Sequence, residues 1–293
     1  MQLNKHGSFY IRSGWPTKII DAIAEDKYVF SAKNELAAVD AIGVGRVMVK
    51  SMRYWTNVLG IACEAKDQTG VYFDFSPLGL AIQKYDLFCQ LDSTLWLLHR
   101  NVAIAEEEAT AWYWLFNEFR ASRFTKDGFT NALFSYAQNQ GSDYSQRAVE
   151  KEFDCVKNTY LREEAFTINQ VIEENTIPFF APLRLLEKDG DAFVRRKIKA
   201  SELPLDVLLY FIVADNQERL LTNTQLSIDM LMESEKQLCK YVNFSYASLI
   251  EALQKLDTMR KITLHNNFGN RYITVPKSDC SELLTAIYND NMR

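Results

Sequence analysis

Two sets of side chains in this sequence have the types and spacing to do chemistry. The first is acidic, with an amine beside it. Glu64 and Lys66 flank Ala65 in a run of short β character, where alternation puts both on one strand face. Asp74, in a second strand-like run beyond a polar turn, is their nearest companion across a hairpin. Carboxylates and a lysine converging on a divalent ion are what a metal-dependent nuclease needs, because the ion stabilises both the attacking water and the leaving oxygen. Mg2+ or Mn2+ would be the cofactor if this chain cleaves DNA, and no other cofactor is indicated. Charged hairpin residues with a structural role are the plainer reading of the same acids. His99, on a helix rich in Leu and Trp, is a further candidate base, and a hydrogen-bonded core histidine is its plainer reading. The sequence has no phosphate-cradling glycine loop, no nucleophile elbow and no clustered Cys and His ligands.

The second set is cationic. Stepped at about 100° per residue, residues 41 to 61 place Arg46, Lys50, Arg53 and Asn57 on one stripe. Val44, Val47, Met48, Ser51, Trp55, Val58 and Leu59 fall on the opposite stripe, the side expected to be buried. A helix that buries one side and shows cations on the other can meet DNA phosphates and base edges. Arg46, Lys50, Arg53 and Asn57, joined by Lys66 and Arg12, are therefore the candidate DNA contacts, with merely solvated cations as the alternative. His6 and Arg12 could bind phosphate, or the neighbouring Phe9, Tyr10 and Trp15 could simply anchor the N-terminus on the core.

The elements around these residues suggest how they are held. Ile19–Ile23 and Leu36–Val39 can form two helices ahead of the basic one. Short strands at Ile61–Ala65 and Val71–Phe75 flank the turn Lys66–Gly70. Helices followed by a hairpin are the pattern of a winged helix-turn-helix, in which the second helix of the turn enters the major groove. Further on, Thr125 caps a helix through Tyr136, and Ser145 caps another bearing Val149, Phe153, Val156 and Tyr160. From Glu163 to Pro204 the pattern is irregular and contains the basic run Arg195–Lys199. The last ninety residues look like a second winged helix: Leu205–Ala214, Ser227–Met232, a helix capped by Ser245, and a hairpin from Ile262–His265 to Arg271–Val275. Its helix offers Glu251, Gln254 and Lys255, which suits a protein contact or a homodimer. The expected architecture is mainly α with small β wings, two winged helix-turn-helix units flanking a helical middle. The expected domains are 1–120, 121–200 and 201–293.

Gly43 to Trp55, reading Gly-Val-Gly-Arg-Val-Met-Val-Lys-Ser-Met-Arg-Tyr-Trp, resembles the signature block of a bacterial family first catalogued as a domain of unknown function. Its members include the SspB component of DNA phosphorothioation defence clusters. The resemblance continues through His6–Trp15, Ser76–Gly79, Thr94–His99 and Ala111–Asn117, and weakens towards Val275. It implies a DNA-binding component of a phosphorothioation or antiphage system, a strand-nicking role being attributed to the SspB-like member. Its partners would be double-stranded DNA and the other proteins of such a cluster, which encodes a cysteine desulfurase, an ATPase and a sulfur-transfer protein. Two departures stand out. Arg46-Val47 replaces the family's usual Lys-Asn, keeping the cation and losing a polar contact. Gly7 stands where the family usually has Glu after the first His, so an acid that does chemistry in relatives would be missing here. A winged-helix transcription regulator acting as a symmetric dimer, or a non-catalytic scaffold, are the competing readings.

Charge and composition set the bounds. The chain has 293 residues and a net charge of −5, which is unlike a typical nucleic-acid binder. Yet residues 1–60 hold eight Lys or Arg against five acids, and residues 61–120 four against nine. The positive charge is thus concentrated on the segment with the basic helix, and binding through that patch alone would be weak and salt-sensitive. Five scattered cysteines and the lack of a signal-peptide pattern or an apolar run of roughly 18 residues suggest a reduced, cytoplasmic protein with no membrane anchor.

Overall fold

The apolar residues that recur at helical spacing form the first three helices, and Gly43-Val44-Gly45 makes the short turn between the second and the third. In the computed structural model, residues 1–161, 177–267 and 270–290 are described. The expected irregular stretch from Glu163 therefore lies partly outside the described residues, as does the last hairpin's tip at Phe268 and Gly269. The chain divides into two compact units, Met1–Trp114 with Ala121–Val194, and Leu115–Arg120 with Arg195–Arg293.

In the first unit, α1 (Trp15–Glu25) buries Trp15, Ile19, Ile20 and Ile23. The next helix, α2 (Glu35–Ile42), ends at Gly43, whose φ of 69° suits glycine. The basic segment is α3 (Arg46–Val58), with the hairpin strands β1 (Ala62–Lys66) and β2 (Val71–Phe75) following directly. Buried on α3 are Val49, Ser51, Met52, Trp55, Thr56 and Val58. Val47, expected inside, is 56% exposed. Val44 precedes the helix, so the stripe drawn through it was turned away from the true core face. Ser76 then caps α4 (Pro77–Tyr85), accepting from Gly79 N–H and donating to the Gly60 carbonyl. A side chain at position 79 would collide with the Ile61 carbonyl, so glycine is what lets α4 close on the hairpin.

Two more helices, α5 (Asp92–Ile104) and α6 (Thr110–Asn117), are rich in buried aromatics, with Trp96, Trp112 and Tyr113 essentially enclosed. The middle stretch carries strands as well as helices. Strand β3 (Arg123–Thr125) leads into α7 (Lys126–Asn139) and α8 (Gln146–Tyr160), and the chain returns through β4 (Leu186–Asp189) and β5 (Ala192–Arg195). These strands make an antiparallel sheet in the order β3-β5-β4. Three residues are too few for a periodic signal, which is why β3 was not foreseen.

The second unit follows the same plan. After α9 (Leu205–Ala214) and α10 (Gln217–Leu220) come β6 (Gln225–Ser227), α11 (Ile228–Glu233), α12 (Leu238–Val242) and α13 (Tyr246–Thr258). The hairpin β7 (Thr263–Asn267) and β8 (Asn270–Thr274) follows, and α14 (Cys280–Asp290) packs on α9. The strand order, β6-β8-β7, repeats that of the first unit's sheet. So do the caps. Thr125 and Ser227 each end a strand and accept from the N–H three residues on, at 3.1 Å in both. The helices before the three hairpins start after Gly45, Ser145 and Ser245, and the residues they bury correspond: Val49, Met52 and Thr56; Val149, Glu152 and Val156; Leu249, Ala252 and Leu256. None of the described helices is long and apolar enough to cross a membrane.

Candidate nucleic-acid interface

Burial of Val49, Met52, Trp55 and Thr56 turns the opposite side of α3 outward, and this places Arg46, Lys50, Arg53 and Asn57 on its outer face. They are not bare. The Arg46 guanidinium forks onto Glu35 of α2 at 2.6 and 2.9 Å, and Lys50 Nζ reaches the same carboxylate at 3.3 Å. Arg53 forks onto Glu64 of β1 at 3.1 and 2.7 Å. Arg46 beside it, and then Lys50, hold the Glu35 carboxyl down to about 2. Asn57 donates weakly to the Arg53 carbonyl, at 3.4 Å. A notch of about 160 Å³ opens beside these pairs, walled by Phe30, Ser31, Val49, Glu35, Lys50 and Arg53. A larger hollow of about 250 Å³ between α1 and α2 is lined by Asp21, Glu25 and Asp26 with Lys18.

The hairpin does not assemble the acid-and-amine set. Opposed residues of an antiparallel ladder share a face. Glu64 stands opposite Phe73 and Lys66 opposite Val71, whereas Asp74 stands opposite Cys63. Asp74 therefore points to the other side of the sheet from Glu64 and Lys66. Glu64 is taken up by Arg53, and Lys66 remains exposed at the strand end. Among the described residues no three His, Cys, Asp or Glu side chains gather as a metal-holding group. Glu64, Lys66 and Asp74 therefore do not converge on a position that would hold Mg2+ or Mn2+.

His99 is fully enclosed, its Nδ1 2.9 Å from the Tyr160 hydroxyl and its ring edge-on to Trp96 and Phe180. It is a core histidine out of a substrate's reach. Arg12 lies in a different setting from α3, its guanidinium 5.5, 5.3 and 5.8 Å from the Phe9, Tyr10 and Trp15 rings. His6 is buried as well. Nε2 lies 3.1 Å from Glu152 Oε1 and Nδ1 3.2 Å from Cys155 Sγ. Burial, reinforced by Glu152, pushes the Cys155 thiol well above its usual range, so Cys155 stays an S–H against Nδ1. Asn4 N–H donates to Glu152, the Ser51 hydroxyl donates to the His6 carbonyl at 2.9 Å, and the Trp55 indole donates to Phe9 O at 3.0 Å. Residues 4–9 thus clip α3 to α8, with Gly7 at φ 59° and beside Val47.

The basic run of the second unit is structural. Arg195 donates to Leu115 O at 2.8 Å and burial brings its guanidinium down to about 10. Arg196 pairs with Glu202 at 2.8 Å, and Lys197 donates to Asn243 Oδ1 at 2.8 Å. Glu35 and the His6–Glu152–Cys155 group were missed in the sequence because their partners lie on other elements, and no local spacing announces them.

A mainly helical chain that repeats a strand–helix–helix–hairpin plan and presents a cationic helix beside its first hairpin is the class these features define. The chain belongs to the family described as "Protein of unknown function (DUF4007)", which it matches over residues 3–288. Its fold is similar to that of a magnesium ion-bound SspB crystal structure, with a TM-score of 0.83, 19% identity, and 99% of this chain and 87% of that chain covered. A second SspB crystal structure matches with a TM-score of 0.81, 19% identity and the same coverage, 99% and 87%. The resemblance carried by Gly43–Trp55 is thereby borne out, and at this identity the structural similarity is one of fold. No curated protein matches the chain significantly.

Proposed function

We propose that this protein is a DNA-binding component of a phosphorothioation or antiphage defence system. In this reading α2, α3 and the β1–β2 hairpin work as a winged helix-turn-helix, with α3 entering the major groove and the hairpin beside the phosphates. The observation that carries it is the alignment of Arg46, Lys50, Arg53 and Asn57 on the outer face of a helix whose other side is core. Support comes from family membership over residues 3–288 and from the SspB-like fold. The third helix-and-hairpin plan, around α13, exposes Tyr246, Ala247 and Gln254 and pairs Lys255 with Glu251, which favours a protein contact there, either a cluster partner or a second copy.

The test is a gel-shift titration of a duplex against Arg46→Ala/Lys50→Ala/Arg53→Ala at several salt concentrations. Affinity should fall, and each lost phosphate contact should flatten the log–log salt dependence by about one unit. Unchanged affinity in a folded triple variant would remove α3 from the interface.

A further inference from the structure

On the outer face of α3 three cations meet two carboxylates, so the face carries one net positive charge where its own sequence offers three. We propose that Glu35 and Glu64 are built-in surrogates for phosphate, holding the α3 cations in the unliganded protein and yielding them when a DNA backbone docks. This rests on the reading of α3 as the DNA-contacting helix and adds a competitor to it.

Four observations carry the idea. Both arginines grip their acid through two nitrogens, the same fork with which a guanidinium grips a phosphate. The acids come from two different elements, α2 and β1, which converge on one side of one helix. The cations remain reachable from solvent, with the Arg46, Lys50 and Arg53 side chains 65%, 66% and 35% exposed. With the cations this open, a phosphate can approach either pair from solvent and exchange with its carboxylate. The arrangement discriminates. A stray polyanion that meets one pair gains one phosphate contact and loses one carboxylate contact. A duplex seated along α3 exchanges both pairs together and adds the hairpin contacts that a loose encounter lacks. With Arg46 and Arg53 seven residues apart, the pairs are separated by about 10 Å of helix rise, so only an extended ligand spans them.

The experiment is fluorescence anisotropy of a labelled duplex with the full-length protein at one fixed salt concentration, comparing Glu35→Gln, Glu64→Gln, the double variant, and Asp40→Asn. Asp40 is exposed on α2 and in no ion pair among the described residues, so it controls for net charge alone. Glu35→Gln and Glu64→Gln should each bind about three- to fivefold tighter than wild type, and the double variant tighter still, while Asp40→Asn changes affinity by less than about twofold. Glutamine variants that bind no tighter than Asp40→Asn, or more weakly than wild type, would overturn the surrogate role, provided the Arg46, Lys50, Arg53 triple alanine variant loses binding. If that triple variant keeps full affinity, the DNA-binding reading of α3 falls and takes this inference with it. Thermal melts of every variant check that the fold is intact.

Discussion

Ser145 and Ser245 cap two helices, α8 and α13, that bury corresponding residues, in units whose sheets have the same strand order. Val149, Glu152, Phe153 and Val156 in one match Leu249, Ala252, Leu253 and Leu256 in the other. Further round the helix they part. Cys155 is 3% exposed and lies on the His6 ring, whereas its counterpart Lys255 is exposed and reaches Glu251, one turn back at 2.7 Å. In α3 the matching residue is Trp55, fully buried and bonded to Phe9 O. The difference comes from what lies on top. The N-terminal clip covers one side of α3 and of α8, while α13 presents Tyr246, Ala247, Glu251, Gln254 and Lys255 to solvent. A repeated plan specifies the core side of each helix. A segment distant in sequence decides whether the other side is core or surface.

Exchanging the two residue types would break this comparison most sharply. Cys155→Lys puts an ammonium group into an enclosed site already holding His6 and Glu152. The cost should exceed about 4 kcal/mol, enough to lose the first unit's cooperative unfolding transition. Lys255→Cys should shift stability by no more than about 0.5 kcal/mol, since it gives up one exposed pair. Denaturant melts measure both, and a tolerated Cys155→Lys would mean that the clip does not seal α8.

Trp55→Ala comes next, with an expected loss of about 3–5 kcal/mol from the cavity left under the clip. Urea denaturation followed by circular dichroism is the check. A variant that keeps its stability and loses DNA binding would instead make Trp55 part of the interface.

The smallest effect concerns Glu35. Its carboxyl is held down to about 2 by Arg46 and then Lys50, against 4.5 ordinarily. A depressed carboxylate adds stability that is fully present above the unfolded value and is lost as pH falls through the folded one. The stability gap between wild type and Glu35→Gln should therefore be constant above about pH 5 and close between 4.5 and 2. A gap unchanged at pH 2 would mean that the pair contributes nothing through charge.

The local chemistry of the chain was legible in its sequence. Thr125, Ser145 and Ser245 cap the helices they were expected to cap, because a cap is a bond between a side chain and an N–H about three residues on. The span Leu205–Ala214 and the hairpin around Asn266 followed from apolar periodicity and turn residues. The outward placing of Arg46, Lys50, Arg53 and Asn57 followed from helical spacing, although the buried stripe opposite was drawn too far towards Val44 and Val47. What only the tertiary structure decided are the contacts between elements. Asp74 and Glu64 are parted by strand register, in which one step moves a side chain to the other face. Glu35 meets Arg46 through the angle of the α2–α3 turn, and β3 is a strand only because β5 pairs with it. His6 and Glu152 meet across 146 positions of chain. Capping and periodicity act over one or two helical turns, whereas register, turn angle and long-range burial depend on how whole elements pack, and no single segment encodes that.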